Sequence, residues 1–329
     1  GIDSGTLAGL MVEAGARDLQ GVTITYDEFR GQHHDEAPVA AQIAAHWGIR
    51  HHVRRVTRDE FLADIPRILA AMDQPSIDGV NTWYASKAVA EQGLKVVVSG
   101  VGGDELFLGY SHFRQLPRLI APWRWLAPLP GVLPLARSIA AVQARRSRNA
   151  RWAQAPDLLR TLEGAWWLRR SVHDPDELAS LLGYEEAAQA LKDFRAEEWV
   201  HGMVGSVPEE HTLALAQIES MTYLRNQLLR DSDWASMAHS VELRTPLVDA
   251  HLLQQLRHHL NAFKGFSAKS LLAMAPHKAL PPMILQRKKT GFKIPVQHWL
   301  AEGQRGVACD HHWTGWMHTV AQTAELPNF

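Results

Sequence analysis

Residues 1–110 alternate short apolar runs with segments of helical period. Gly21-Val22-Thr23-Ile24-Thr25-Tyr26 is rich in β-branched residues and predicts a buried strand. Asp35 to Trp47 is alanine-rich with helical spacing, and Ile49 to Val56 predicts a second strand. Phe61 to Met72 and Trp83 to Gln92 predict helices. Lys95-Val96-Val97-Val98 is a short apolar run ending in Ser99-Gly100, the pattern of a parallel strand buried on both faces. Strands separated by helices imply βαβ units and a parallel sheet, with ligands expected at the carboxyl ends of the strands. Past about residue 113 the strand signal fades. Leu213, Ile218, Met221, Leu224 and Leu228 recur at helical spacing, and the C-terminal half reads as mainly helical. Residues 116–151 mix Pro, Trp, Leu and Arg. That mixture suits a basic partner surface or a membrane face, but the preferred reading is an irregular helical insertion with solvated arginines. The stretch from about 303 is polar and expected to be loosely ordered.

Composition narrows the class. The 329 residues are 46% hydrophobic and 21% charged, enough apolar material for a sizeable core. Thirty-four basic residues oppose 35 acidic ones, a formal net charge of −1, so no global basic field favours nucleic acid or membranes and neither is an expected partner. A local basic patch remains compatible with that sum. The single cysteine, Cys309, excludes a disulfide framework or a multi-cysteine metal site within this chain. With no signal-peptide pattern and no run long enough to span a bilayer, a cytoplasmic location is the expectation. The chain begins at Gly1 rather than Met, which suggests a fragment or a processed product.

Four segments carry candidate chemistry. Gly1-Ile2-Asp3-Ser4-Gly5 precedes a helix-like run from Thr6, and a small-residue loop opening a helix is a ready anion site. In it Asp3 either caps the helix or holds a cation, and Ser4 adds a hydroxyl donor. Ser99-Gly100-Val101-Gly102-Gly103-Asp104-Glu105 follows the third strand. Its glycines allow close backbone approach, and its adjacent carboxylates suit Mg²⁺, although Asp104 as a helix N-cap explains the spacing too. Neither a dinucleotide fingerprint nor a Walker loop is present. Asp233-Trp234-Ala235-Ser236-Met237-Ala238 runs on to Glu242, Arg244 and Asp249, for which a buried ionic network is preferred over substrate contact. Arg287-Lys288-Lys289-Thr290-Gly291-Phe292-Lys293 sets four cations around a glycine, fit to stabilise charge at phosphorus, although a lone charge run is more often a solvated surface. Four His-His pairs invite a zinc reading, but adjacent histidines point apart and no metal-binding spacing supports it.

The order of these motifs is more specific than any one of them. The Asp-Ser glycine loop, Ser-Gly-x-Gly-Gly-Asp-Glu-Leu-Phe-x-Gly-Tyr, Asp-x-x-Ser-Met-Ala-x-x-x-Glu-x-Arg-x-Pro and Arg-x-Lys-x-Gly-Phe together resemble the synthetase domain of glutamine-dependent asparagine synthetases, from Gly1 to about Leu300. That family belongs to the PP-loop ATP pyrophosphatases. The resemblance implies an α/β fold, a parallel sheet flanked by helices like that of the adenine nucleotide alpha hydrolases, with a nucleotide-binding half at 1–112 and a mainly helical half at 113–329. It implies that Gly1 to Ser4 end a pyrophosphate-cradling Ser-Gly-Gly-x-Asp-Ser loop whose first two residues, like an N-terminal glutaminase domain, lie outside this chain. By the same resemblance the Ile24 backbone meets adenine, and Ser99, Gly100 and Gly102 line the nucleotide. Asp3 and Asp104 hold Mg²⁺-pyrophosphate, and Lys289 assists adenylyl transfer from ATP. The implied reaction joins ammonia, delivered by the glutaminase domain, to a small carboxylic acid, with homodimer formation left open. Val101 stands where asparagine synthetases proper often carry an acidic residue, and Trp234 where many members carry Arg. These departures point to an acid other than aspartate; a silent ATP-binding scaffold, suggested by Val101 and the incomplete loop, and a ring closure like that of β-lactam synthetase are the alternatives.

Overall fold

A computed structural model describes residues 1–147, 150–256, 259, 268–287, 294–301, 316 and 319–320. In chain order it begins with α1 (Ile2–Glu13), β1 (Gln20–Tyr26), α2 (Ala37–Trp47), β2 (Arg50–Val56), α3 (Arg58–Ala71), α4 (Val80–Glu91), β3 (Val96–Val98) and the single turn α5 (Gly103–Leu106). Next come α6 (His112–Leu126), α7 (Val132–Ser147), α8 (Ala155–Leu158), α9 (Leu162–Arg170), α10 (Pro175–Leu182), α11 (Tyr184–Asp193), α12 (Ala196–Val204) and α13 (His211–Glu219). A π-helical stretch, Ser220–Leu228, precedes α14 (Leu229–Met237), β4 (Glu242–Arg244), α15 (Ala250–Leu256), α16 (Ala268–Ala273), α17 (Pro282–Gln286) and α18 (Val296–Ala301).

The chain divides into two compact units, one of Gly1–Gly109 with the described residues from Arg225 onward, the other Tyr110–Leu224. In the first unit the expected parallel pairing is present as two separate two-stranded pairs. β1 and β2 run parallel from Gln20 opposite Arg50 to Tyr26 opposite Val56. β3 pairs with β4, Val96 opposite Glu242 and Val98 opposite Arg244. The pairing of β4 on β3 and the packing of α14 on α4 tie the later segment to the earlier one. Against the expectation of burial on both faces, Val96 is 42% exposed and Val97 and Val98 are only partly buried. The valine run therefore expresses a backbone preference for extended structure more than burial.

Side chains at the element ends explain several boundaries. The Thr57 hydroxyl accepts from the Glu60 N–H and starts α3, with Asp59 and Glu60 favourably placed in the first turn. Gly48 ends α2 at φ 67°, and Asp174 with Glu177 forms a reciprocal capping box on α10. Ile24, Tyr26, Val56, Phe61, Trp83, Tyr84 and Trp234 share one buried cluster of the first unit. A second cluster joins Leu7 of α1 to Leu106, Phe107, Leu247 and Leu272. It fixes the start of α1 against the segment after β3. Arg54 of β2, Glu60 of α3 and Lys87 of α4 form a part-buried ionic chain, with Arg54–Glu60 at 2.5 Å and Lys87–Glu60 at 2.6 Å.

Candidate nucleotide and metal site

The helix at the N-terminus begins earlier than the pattern suggests. Asp3 and Ser4 lie inside the first turn of α1, and Gly1 is its N-cap, its carbonyl accepting from the Gly5 N–H at 3.1 Å. A carboxylate in the first turn meets the positive end of the helix dipole, which favours helix over loop at Asp3. After β3, the Ser99 N–H donates to the Arg244 carbonyl at 2.8 Å and prolongs the β3–β4 pair by one residue. The Ser99 hydroxyl then accepts from the Val101 N–H at 3.3 Å, closing a local turn. Gly102 adopts φ 89° and caps α5, so Asp104 falls in the first turn of α5 rather than at its N-cap. Only glycine takes that backbone conformation without strain.

Two segments that are a hundred residues apart in sequence meet here. A Cβ built on Gly100 would lie 2.6 Å from the Asp3 Cβ and 3.0 Å from the Ser4 backbone nitrogen, so the glycine is required by the approach of α1. Asp3 and Asp104 are brought together around one ammonium: Lys269 of α16 bonds Asp3 and lies 2.8 Å from an Asp104 oxygen. All three side chains are largely shielded from solvent. One ammonium between two carboxylates leaves an excess negative charge on hard oxygen donors, the donor chemistry that suits Mg²⁺. Lys269 escapes the sequence reading, which looks to the charge run at 287–293 for a cation. The available signal is weak: a lone lysine at the start of the short apolar run Ser270-Leu271-Leu272-Ala273.

The other expected residues are distributed as follows. Ile24 is buried in the β1 core cluster, opposite Arg54 in the strand register, so its side chain serves packing. Trp234 is buried in the same cluster, and its indole N–H donates to Asp231 at 3.0 Å. Burial pushes the Asp231 carboxyl up to about 6. Glu242 and Arg244 do pair, at 2.8 Å, but both are well exposed, which corrects the expected buried network. The cause is strand alternation: residues two apart share one face of β4, and that face meets water. Asp249 serves instead as a cap, accepting from the Leu252 N–H at 2.7 Å. On β2 the adjacent His51 and His52 contact different partners, Thr23 at 3.0 Å and Gln20 at 2.7 Å, as opposite faces of a strand require. Among the described residues no group of three His, Cys, Asp or Glu side chains is placed to hold a metal ion. Lys289 and Cys309 lie outside the described residues.

Comparison with known proteins agrees with the motif order. The family model described as asparagine synthase matches residues 1–312. A Mycobacterium tuberculosis protein named "Putative asparagine synthetase (glutamine-hydrolyzing)" is 29% identical over 314 residues, covering 92% of this chain and 45% of its own length. "Asparagine synthetase (glutamine-hydrolyzing) 1" of Bacillus subtilis is 25% identical over 277 residues, covering 83% and 42%. A Penicillium rubens protein named "Amidase chyE" is 23% identical over 332 residues, covering 91% and 49%. The chain thus spans just under half the length of these relatives. With the family model matching residues 1–312, nearly the whole of it, the chain belongs to the asparagine synthase family.

Proposed function

We propose that the chain is the synthetase part of an ATP-dependent amide-forming ligase. In this reading a carboxylate of aspartate or a related acid attacks the α-phosphorus of ATP. The bond from phosphorus to the bridging oxygen breaks, and pyrophosphate leaves as the acyl-adenylate forms. Ammonia then adds to the acyl carbon, loses a proton and displaces AMP, giving the amide. In the full-length protein the ammonia is drawn from glutamine. The observation that carries the reading is the meeting of Asp3, Asp104 and Lys269, one from each of three distant segments, beside the first turn of α1.

In this arrangement Asp3 and Asp104 would hold Mg²⁺, which when bound neutralises phosphate oxygens. Lys269 limits the repulsion between the two carboxylates and keeps them in place for a cation. The free N–H groups of the first turn of α1 favour an anion alongside. Gly100 and Gly102 allow the backbone after β3 to approach a nucleotide closely, with Ser99 holding the turn. Gly1, Ser4 and the Ile24 backbone complete the nucleotide contacts, and Lys289 screens the charge that develops at phosphorus. Holding two mutually repelling anions in line is most of the protein's task.

The test is ATP–pyrophosphate exchange on a chain carrying a complete Ser-Gly-Gly-x-Asp-Ser loop. Exchange is expected to depend on an added carboxylic acid and to fall on the order of a hundredfold or more in Asp104→Ala, Lys289→Ala and Lys269→Met. Exchange unchanged in all three folded variants would remove these assignments. Tight ATP binding with no exchange for any acid would leave only a nucleotide-binding scaffold.

A further inference from the structure

The second unit carries a surface that the proposed chemistry does not use. From Leu106 to Pro156 the sequence holds eight arginines and not one Asp, Glu or Lys. In a chain with net charge −1, this is a strong local segregation of charge. The same stretch forms α6, which holds Pro117 and Pro122 in its interior, and α7, joined by the tight connection Ala127–Gly131. Within that connection the Leu129 N–H donates to the Leu126 carbonyl and the Val132 N–H to the Leu129 carbonyl.

One side of α6 is buried through Phe113, Leu116 and Ile120, but other large apolar residues of the stretch face outward. Trp125 is 78% exposed, Leu135 62%, Ile139 61% and Val142 51%. Leu135, Ile139 and Val142 stand at i, i+4 and i+7, one face of α7, while the buried Ala144 lies on the other side. Arg146 continues the same face one turn on. Leu126 at the end of α6 and Leu129 in the connection are exposed as well. Isolated exposed apolar side chains need no explanation, but a continuous outward stripe on an acid-free helix does.

We propose that α6 and α7 form a docking surface for the face of an anionic phospholipid bilayer. Exposed Leu, Ile, Val and Trp side chains would enter the boundary between headgroups and acyl chains, while Arg118, Arg124, Arg145 and Arg146, all exposed, meet lipid phosphates. The single sign of charge favours this occupant over a protein, whose surface would normally present both signs. Arg137 is excluded from the count because it pairs with Asp157 at 2.6 Å. Attachment would be peripheral: no described helix is long and apolar enough to cross a membrane.

Co-sedimentation of the full chain with vesicles tests the idea. One set is phosphatidylcholine alone, and the other adds 30% phosphatidylglycerol as a chosen composition. Binding is expected only to the anionic vesicles and to weaken between about 0.1 and 0.5 M salt. Arg145→Gln with Arg146→Gln should weaken it on the order of thirtyfold, at roughly one tenfold step and a half for two surface cations. Leu135→Ser with Ile139→Ser and Val142→Ser should weaken it by at least about tenfold. These positions are exposed, so both variants should retain the far-ultraviolet spectrum of the parent chain. No binding to anionic vesicles, or equal binding by parent and variants, overturns the proposal. So does a concentration-dependent dimer that the serine variant dissolves in the absence of any vesicle binding, because the face would then pair two copies of the chain.

Discussion

Glu219 is fully buried in the second unit, and its carboxylate is held by Arg170 and His112. The Arg170 guanidinium donates to both carboxylate oxygens, from Nε at 3.0 and 3.1 Å and from Nη2 at 2.8 Å. The His112 Nε2 lies 2.6 Å from the nearer oxygen, and Arg170 stacks 3.7 Å from the Tyr223 ring centre. Burial alone would raise the Glu219 pKa. The His112 hydrogen bond and the Arg170 charge and hydrogen bonds outweigh it and hold the carboxyl below its ordinary range. In Glu219→Gln the fork-to-fork match is lost, and an amide NH₂ faces a cation that can only donate. Removing one partner of a buried pair costs about 3–5 kcal/mol, and the partial exposure of Arg170 argues for the low end, about 3 kcal/mol. Urea denaturation at pH 7, followed by tryptophan fluorescence and circular dichroism, would read this as a lower midpoint at unchanged slope. The double variant Glu219→Leu with Arg170→Met should recover at least about 1 kcal/mol of the sum of the single losses. The sign with pH is fixed by the lowered native value. The stabilisation is present above the unfolded value near 4.3 and is lost as pH falls through the native one. A single-variant loss under about 1 kcal/mol, or additive single losses, would refute the reasoning.

Other outcomes follow from single sites. Asp231 is raised from 3.8 to about 6 by burial. A raised carboxyl binds its proton more tightly when folded, so its contribution to stability declines from pH 4 to 6 and stays low above. Asp231→Asn, which keeps an acceptor for the Trp234 indole, should then be stabilising at pH 7 by up to about 3 kcal/mol and near neutral at pH 4, as thermal melts at both values would register. Gly100→Ala puts a methyl 2.6 Å from the Asp3 Cβ, so a loss of about 1–3 kcal/mol and weaker ATP·Mg²⁺ binding by calorimetry are expected together. A Gly100→Ala chain with parental stability and affinity would show that α1 and the segment after β3 need not approach so closely.

What was legible in the sequence was local. β1, α2, β2, α3 and α4 appear within a few residues of the expected positions, because β-branched runs and helical periods are properties of neighbouring residues. β4 was not legible: Glu242-Leu243-Arg244 offers three residues, two of them charged, and becomes a strand only through pairing with β3. The early start of α1 was missed because Gly1-Ile2-Asp3-Ser4-Gly5 has loop composition, while the first-turn advantage of Asp3 outweighs it. At the candidate site, Asp3 and Asp104 stood out through their glycine-rich neighbours. Lys269 did not, because its importance lies entirely in what it meets 266 residues away.

The same distinction governs the charge. A net value of −1 argues against binding to anionic surfaces only if the charges are evenly spread. Here the acids are absent from one continuous stretch, and α6 and α7 carry six of its eight arginines together with exposed leucine, isoleucine, valine and tryptophan. Leu135, Ile139 and Val142 would satisfy a search for a core-facing helix stripe, since period alone says which residues share a face and not what that face meets. Only the fold distinguishes the two. It turns Ala144 inward and leaves the large apolar side chains in water, which is the costly arrangement, and a partner that covers them would recover the transfer free energy of those side chains.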